Sequence, residues 1–337
     1  MTDGAFDGRR VLVTGGTGSI GRELVIGLLA EGAEVVRILS RDDTKQFEME
    51  EELGAGLRLR MLIGDVRDRA RVGRAVAGID DVFHAAALKH VPACEFNPFE
   101  ATETNVRGTQ NVVEAAIDAG VERVLTISTD KAADPTNVMG ATKLLAERLM
   151  IAAESFKGPS VTRFAAVRFG NVIGSRGSIV PLVRTQVARG GPVTVTDPEM
   201  TRYLMPTASA IRLCFAAMRR MAGGEVFILK MPRVRIGDLV EELVAGYAPQ
   251  FGYRPDEIRI EETGARTGEK RHEMLLGEAE GELATELDDM FLLSRGAQPV
   301  AEPVRGGRGQ ERPLDRRELR ELLRAAGWAS LDGQPAA

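Results

Sequence analysis

Residues 11–21 constrain this chain more than any other stretch: Val11-Leu12-Val13-Thr14-Gly15-Gly16-Thr17-Gly18-Ser19-Ile20-Gly21. A short apolar run leads into glycines at 15, 18 and 21, and a helical pattern follows from Arg22 to Ala30. Without a Cβ, the amides of such a turn can approach a pyrophosphate, and the positive end of the following helix favours its charge. The position after an apolar run makes this a dinucleotide-binding strand–turn–helix unit rather than a stray glycine cluster. Gly15, Thr17, Gly18, Ser19, Ile20 and Gly21 are the residues expected at the cofactor.

Such a unit needs a parallel sheet, and the chain supplies its strands. Apolar runs recur at Val35–Leu39, Leu57–Ile63, Asp81–Ala85, Val124–Ser128 and Ala166–Phe169, separated by helical patterns. Near-continuous apolar strands alternating with helices predict an α/β Rossmann fold, a doubly wound parallel sheet covered on both faces. After Asn171 the rhythm changes. A helix over Val180–Arg189 and short strands at Val193–Thr196 and Val226–Leu229 predict a smaller C-terminal substrate-binding domain. The expected division is 1–172 for the dinucleotide domain, 173–297 for the substrate domain and 298–337 for a partly disordered tail. Some later strands and helices are expected to return to the first domain, and a short helix over Glu318–Ala326 to dock.

The second strand ends Leu39-Ser40-Arg41-Asp42. Ser40 and Arg41 offer a hydroxyl and a cation to a 2'-phosphate, which favours NADP, whereas Asp42 leaves NAD possible. Asp65 and Val66 follow the third strand where adenine is commonly held. Ala85, Ala86 and Ala87 follow the fourth, small residues where the cofactor passes.

Composition excludes other classes. The formal net charge of −5, from 44 basic and 49 acidic residues, gives no nucleic-acid footprint. Two distant cysteines and three histidines leave no metal-ligand spacing, so no metal is expected. With no leader-like opening and no apolar run of spanning length, the expected location is the cytoplasm, with no membrane partner.

The ordered motifs carry a resemblance. Besides the glycine turn, they include Gly64-Asp65-Val66-Arg67-Asp68, Ala85 to Pro92, Thr104-Asn105-Val106 and Ser128-Thr129-Asp130-Lys131. Gly140-Ala141-Thr142-Lys143, Arg168 to Val172, Ser175 to Ser178, Met200-Thr201-Arg202 and Gly268-Glu269-Lys270 continue the series. Over about residues 8 to 295 the chain resembles extended short-chain dehydrogenase/reductases, and among them the nucleotide-sugar 4,6-dehydratases acting on UDP-N-acetylglucosamine in polysaccharide biosynthesis.

The resemblance implies oxidation at C4 of a UDP-N-acetylhexosamine, loss of water across C5 and C6, and return of the hydride to C6. It implies Lys131 as the C5 base, Asp130 as the acid at O6 and Lys143 at the nicotinamide ribose. Adjacent opposite charges at a strand end suit that acid–base work. Lys89, His90, Asn105, Asn171, Arg202, Arg266 and Glu269 are implied at the substrate. Many relatives place a Tyr four residues before the Lys. Here Met139 stands there, which cannot exchange a proton, so Thr129 or a water is expected to relay the C4 hydroxyl proton toward Lys143 or Lys131. Relatives often read Arg-Pro-Gly-Glu-Lys where this chain has Arg266-Thr267-Gly268-Glu269-Lys270. A homo-oligomer is expected. The alternatives are a 4-epimerase, a dehydratase of another nucleotide hexose, and a non-catalytic NADP-binding protein.

Overall fold

The computed structural model describes residues 4–54, 56–294, 296, 304 and 312–328. Nine strands form one sheet: β1 (Arg10–Thr14), β2 (Val35–Ser40), β3 (Leu59–Ile63), β4 (Asp81–His84), β5 (Arg123–Thr129), β6 (Arg163–Phe169), β10 (Glu225–Leu229), β13 (Thr285–Glu286) and β14 (Met290–Ser294). Two small sheets use β7 (Asn171–Val172), β8 (Val193–Val195), β9 (Thr201–Met205), β11 (Arg233–Arg235) and β12 (Ile260–Glu262). The large sheet runs β3-β2-β1-β4-β5-β6-β10-β14-β13. It is parallel from β3 to β10, and β14 and β13 then close that edge antiparallel.

Burial follows from this order. All of β4 and all but the first residue of β6 are buried, as expected for strands covered on both faces. Alternate residues feed opposite layers: Val11, Val13, Phe83 and Leu125 pack on one face, Leu12, Val82 and Val124 on the other. A separate core under the C-terminal lobe joins Val183, Val187, Leu204, Leu239 and Leu243.

The expected boundaries shift in informative ways. The third run becomes a strand only at Leu59, after a short 3-10 turn over Gly56–Arg58. The first helix begins at Ser19, three residues before the expected start at Arg22, and the helix after β5 spans Val138–Phe156. The segment 173–297 is not one contiguous domain, because β10, β13 and β14 return to the large sheet. Near the chain's end, helix Arg316–Ala325 sets Leu319 and Leu323 into the lobe's core and pairs Arg320 with Glu242 at 2.6 Å. The expected disorder of the final residues concerns positions outside the described ones.

A buried ion cluster fastens the two parts together. Arg168 on β6 is fully buried and pairs with Glu147 and Glu280, each at 2.6 Å, while donating to the Leu275 carbonyl at 3.0 Å. Removing one partner of such a cluster strands the others' charge in a dry place. Arg168→Ala is therefore expected to lower stability by about 3–5 kcal/mol, measured by urea denaturation.

Candidate active site

A cleft of about 690 Å³ opens at the carboxyl ends of the parallel strands, where the order reverses between β1 and β4. Its first wall is the glycine turn. Gly15 adopts φ +67°, and a Cβ there would lie 2.8 Å from the backbone of Ala86. A Cβ on Gly21 would lie 2.2 Å from the Gly15 carbonyl oxygen. The two glycines thus let the turn fold onto itself and onto the loop after β4. Gly18 caps helix Ser19–Ala30 with no side-chain bond, so no protein side chain caps its first amides. This cradle fits a dinucleotide pyrophosphate.

Farther along lie Ser40, Arg41, Asp65, Val66 and Ala85–Ala87. Asp42 is the N-cap of helix Asp43–Leu53: its carboxylate accepts from the Lys45 amide at 3.0 Å and pairs with the Lys45 ammonium. The Ser40 hydroxyl accepts from Gln46 at 3.0 Å, and the half-exposed Arg41 guanidinium lies 3.6 Å from Asp65. Burial works against the charge on Asp65, but its hydrogen bonds from Arg67 prevail and hold its carboxyl below the usual range.

The other end of the cleft is built by β5, β6 and helix Val138–Phe156. Lys143 is buried and donates to the Ile127 carbonyl at 2.5 Å. Burial pushes its proton affinity down to about 8, partly opposed by Glu147. Met139 lines the cleft four residues earlier and rests on Cys94 and Ala101. Thr129 and Lys131 line the cleft; Asp130 lies behind them with no exposure. Its Oδ1 accepts from the Thr129 hydroxyl at 2.9 Å and from the Lys131 ammonium at 3.0 Å, and its Oδ2 has no partner. The threonine therefore points its proton at Asp130, not at Lys143 or Lys131 as expected. Direct contact of Asp130 with a sugar oxygen does not fit this burial.

Several expected substrate contacts are corrected by the geometry. Asn105 is buried and holds the loop after β4 from behind, bonding the Leu88 amide at 2.8 Å, the Leu88 carbonyl at 3.0 Å and the Thr142 hydroxyl at 3.0 Å. Arg202 and Glu269 spend their charges on each other at 3.0 Å and do not line the cleft. Arg266 is exposed and outside the lining as well. Asn171, Lys89 and His90 do line it. Asn171 brings a buried Oδ1 with no protein partner, an acceptor left for a ligand. Lys89 donates to the Arg176 carbonyl at 2.7 Å, and a Cβ on Gly177 would lie 2.6 Å from the His90 ring.

Four cleft residues escaped the sequence reading as site groups. Arg176 bonds the Thr17 carbonyl, and its amide donates to Ser19 at 3.1 Å, so the loop after β7 crosses the glycine turn. Ser128, Ser178 and Thr104 present buried hydroxyls with no protein partner. Small hydroxyl residues are too common in sequence to stand out. Only the shared wall singles them out. Among the described residues, no group of three or more His, Cys, Asp or Glu could hold a metal, and no helix is long and apolar enough to cross a membrane.

A Rossmann body with this glycine turn, and with Lys143 on the helix after β5, defines the extended short-chain dehydrogenase/reductase class. The chain belongs to the polysaccharide biosynthesis protein family, whose model matches residues 11–295. It is 54% identical over 288 residues to an uncharacterized membrane protein of Methanocaldococcus jannaschii, covering 86% of each chain. It is 39% identical to an inverting UDP-N-acetylglucosamine 4,6-dehydratase of Campylobacter jejuni, over 86% of this chain and 84% of that one. It is 40% identical to a UDP-glucose 4-epimerase of Rickettsia conorii, over 85% and 83%. Among solved structures, Pen from Bacillus thuringiensis matches at 43% identity with a TM-score of 0.88, over 95% of this chain and 99% of that one. A dTDP-glucose 4,6-dehydratase from Streptomyces venezuelae, solved with NAD bound, matches at 25% identity and 0.71, over 96% and 99%.

Gly21→Ala is expected to crowd the cradle. Dinucleotide affinity should fall by roughly 5- to 150-fold, the effect of the 1–3 kcal/mol that overpacking costs, as read by calorimetric titration.

Proposed function

We propose that this enzyme dehydrates UDP-N-acetylglucosamine to a UDP-4-keto-6-deoxy-hexosamine, with NADP as its tightly held cofactor. One observation carries the reading: Thr129, Asp130 and Lys131 form a connected acid–base chain at the end of β5, open to the cleft through Thr129 and Lys131. The 4,6-dehydratase among the relatives supports the same reading. The epimerase relative supports the broader class, but epimerisation at C4 needs no base for C5, and the cleft offers Lys131 beside a carboxylate.

A bound nicotinamide would supply a hydride acceptor for C4 and return that hydride to C6. The protein supplies the protons. Thr129 takes the C4 hydroxyl proton and passes its own to Asp130 Oδ1. Lys131, as a free amine, removes the C5 proton that the 4-ketone has acidified. Asp130 returns its proton through Thr129 to the departing C6 hydroxyl, which leaves as water. Lys131 then hands a proton back to C5. Lys143, cationic below a pH of about 8, would hold the nicotinamide ribose and lower proton affinities around it through its charge. Asn171, Lys89 and His90 contact the sugar nucleotide.

For the cofactor, Asp42 is committed to its helix cap and to Lys45, while Arg41 stands free enough to meet a 2'-phosphate. Arg41→Ala is expected to weaken NADP binding about 10-fold, the loss of one charge-assisted contact of about 1.5 kcal/mol, and to leave NAD binding nearly unchanged. Parallel calorimetric titrations with the two dinucleotides check it.

Mixed with UDP-N-acetylglucosamine and NADP, the protein should give a product lighter by one water in mass spectrometry. Unchanged substrate across the UDP-hexosamines would overturn the reading. Thr129→Val should lower kcat on the order of 100-fold or more, whereas Thr129→Ser should retain most of it, in steady-state assays.

A further inference from the structure

The acid–base chain has a fourth member that the sequence did not announce. Glu273 lies 3.4 Å from the Lys131 ammonium through Oε1 and is almost fully buried, and its Oε2 has no hydrogen-bond partner. Its backbone is fixed on both sides. The Gly268 carbonyl accepts from Thr136 and Asn137 at 3.0 Å each, and Lys270 donates to the Ala133 carbonyl at 2.6 Å. His272 pairs with Thr201 at 3.0 Å, and the Leu275 carbonyl accepts from Arg168. A strand-like segment of the C-terminal lobe thus carries one carboxylate to the catalytic turn and holds it there. For a structural ion pair, Asp130 alone would suffice. Burying a second carboxylate beside the same ammonium is costly and calls for a use.

Counting protons shows one. Burial works against the Lys131 charge, but Asp130 and Glu273 outweigh it and keep the resting amine protonated, with Arg202 on β9 as the opposing cation. A protonated lysine cannot remove the C5 proton. Asp130 cannot relieve it, because Asp130 is filled by the C4 hydroxyl proton arriving through Thr129. We propose that Glu273 is a positioning residue that acts through Lys131, taking the lysine's proton before elimination and returning it after turnover. The cycle then closes. The cluster starts as lysine cation with two carboxylates, and C4 oxidation protonates Asp130. A shift from Lys131 to Glu273 leaves three neutral groups. Lys131 takes the C5 proton, the C5–C6 double bond forms and the C6–O bond breaks with the proton of Asp130, releasing water. After hydride return to C6 and protonation of C5 by Lys131, the proton on Glu273 goes back to Lys131. The 3.4 Å gap needs only the tightening common in substrate complexes. This inference rests on the dehydratase reading.

The test uses Glu273→Gln and Glu273→Asp in the full-length enzyme. Glutamine cannot take the proton, so oxidation at C4, followed spectrophotometrically, should persist while kcat for water loss falls on the order of 100-fold. KM should stay within about threefold, exchange of the C5 proton with heavy water should stop, and Glu273→Asp should restore part of both. Glutamine turnover at the wild-type rate would overturn the proposal. So would equal loss of C4 oxidation, C5 exchange and substrate affinity, the pattern of a purely structural residue. NMR of side-chain-labelled lysine, with Lys131→Met identifying the signal, gives a readout that does not depend on activity. Removing the anion should move the Lys131 titration to lower pH, and an unmoved titration would also overturn the proposal. If the wild-type enzyme loses no water from UDP-hexosamines but this titration moves, the dehydratase reading fails while the coupling of Glu273 to Lys131 stands. If Glu273→Gln does not fold, Glu273→Asp, which widens the gap to Lys131, should show a smaller fall in kcat and in C5 exchange with C4 oxidation kept, and unchanged water loss and exchange would overturn the proposal.

Discussion

Lys131 carries a positive charge into the cleft wall with its side chain only 18% exposed, and much of the surrounding architecture answers that constraint. A largely covered ammonium needs counter-charge held at fixed distance. Asp130 supplies it from the same turn, and Glu273 from a segment far along the chain. To bring Glu273 there, the C-terminal lobe has to grip the catalytic turn through Gly268, Lys270 and His272. Gly140 belongs to the same constraint: a Cβ there would lie 2.3 Å from the Lys131 carbonyl oxygen, so the helix over Val138–Phe156 can pack against the turn only because that side chain is missing. The catalytic turn is therefore a joint between the sheet body and the lobe, and its chemistry and its tertiary packing cannot be varied separately.

How much of this was readable follows from which contacts are local. The glycine turn was legible because strand, turn and helix are consecutive, and the absence of a Cβ at 15, 18 and 21 has a direct geometric reason. The parallel strands were legible from their apolar runs. That some later strands return to the sheet was expected, but not that β10 and β14 are the ones, because short runs read the same in either sheet. The site divided along the same line. Met139, Lys143 and the Thr129–Lys131 triplet sit in one short stretch, so their proximity was visible. That Arg202 turns to Glu269, that Asn105 braces the loop after β4 from behind, and that Glu273 meets Lys131 all depend on how distant segments pack. A charged residue in sequence does not say which partner will neutralise it.

Burial also changed the meaning of residues correctly located. Asp130 stands beside Lys131 as its sequence position required, yet it lies behind the cleft wall with no exposure. On the proposed reading its protons reach the sugar through a neighbour. The threonine before it becomes the contact point, a role that a hydroxyl at a strand end does not reveal by itself. The orphan oxygens of Asp130 and Glu273 belong to the same account: each is a buried acceptor with no protein donor, and such atoms call for a use in proton traffic or ligand binding.

Met139 takes its place in this arrangement. A tyrosine there would put a phenol between the C4 hydroxyl and Lys143, and the C4 proton would leave along the cofactor side. The thioether instead closes that side with an apolar surface packed on Cys94 and Ala101. In the proposed dehydration, the protein path from the cleft then runs through Thr129 to Asp130, the group that would protonate the departing hydroxyl. On that reading the proton removed at C4 and the proton that leaves in water become the same proton, stored in between on a buried carboxyl. Storing it there leaves Lys131 without an acceptor for its own proton, and so the loss of the tyrosine and the presence of Glu273 are two sides of one requirement.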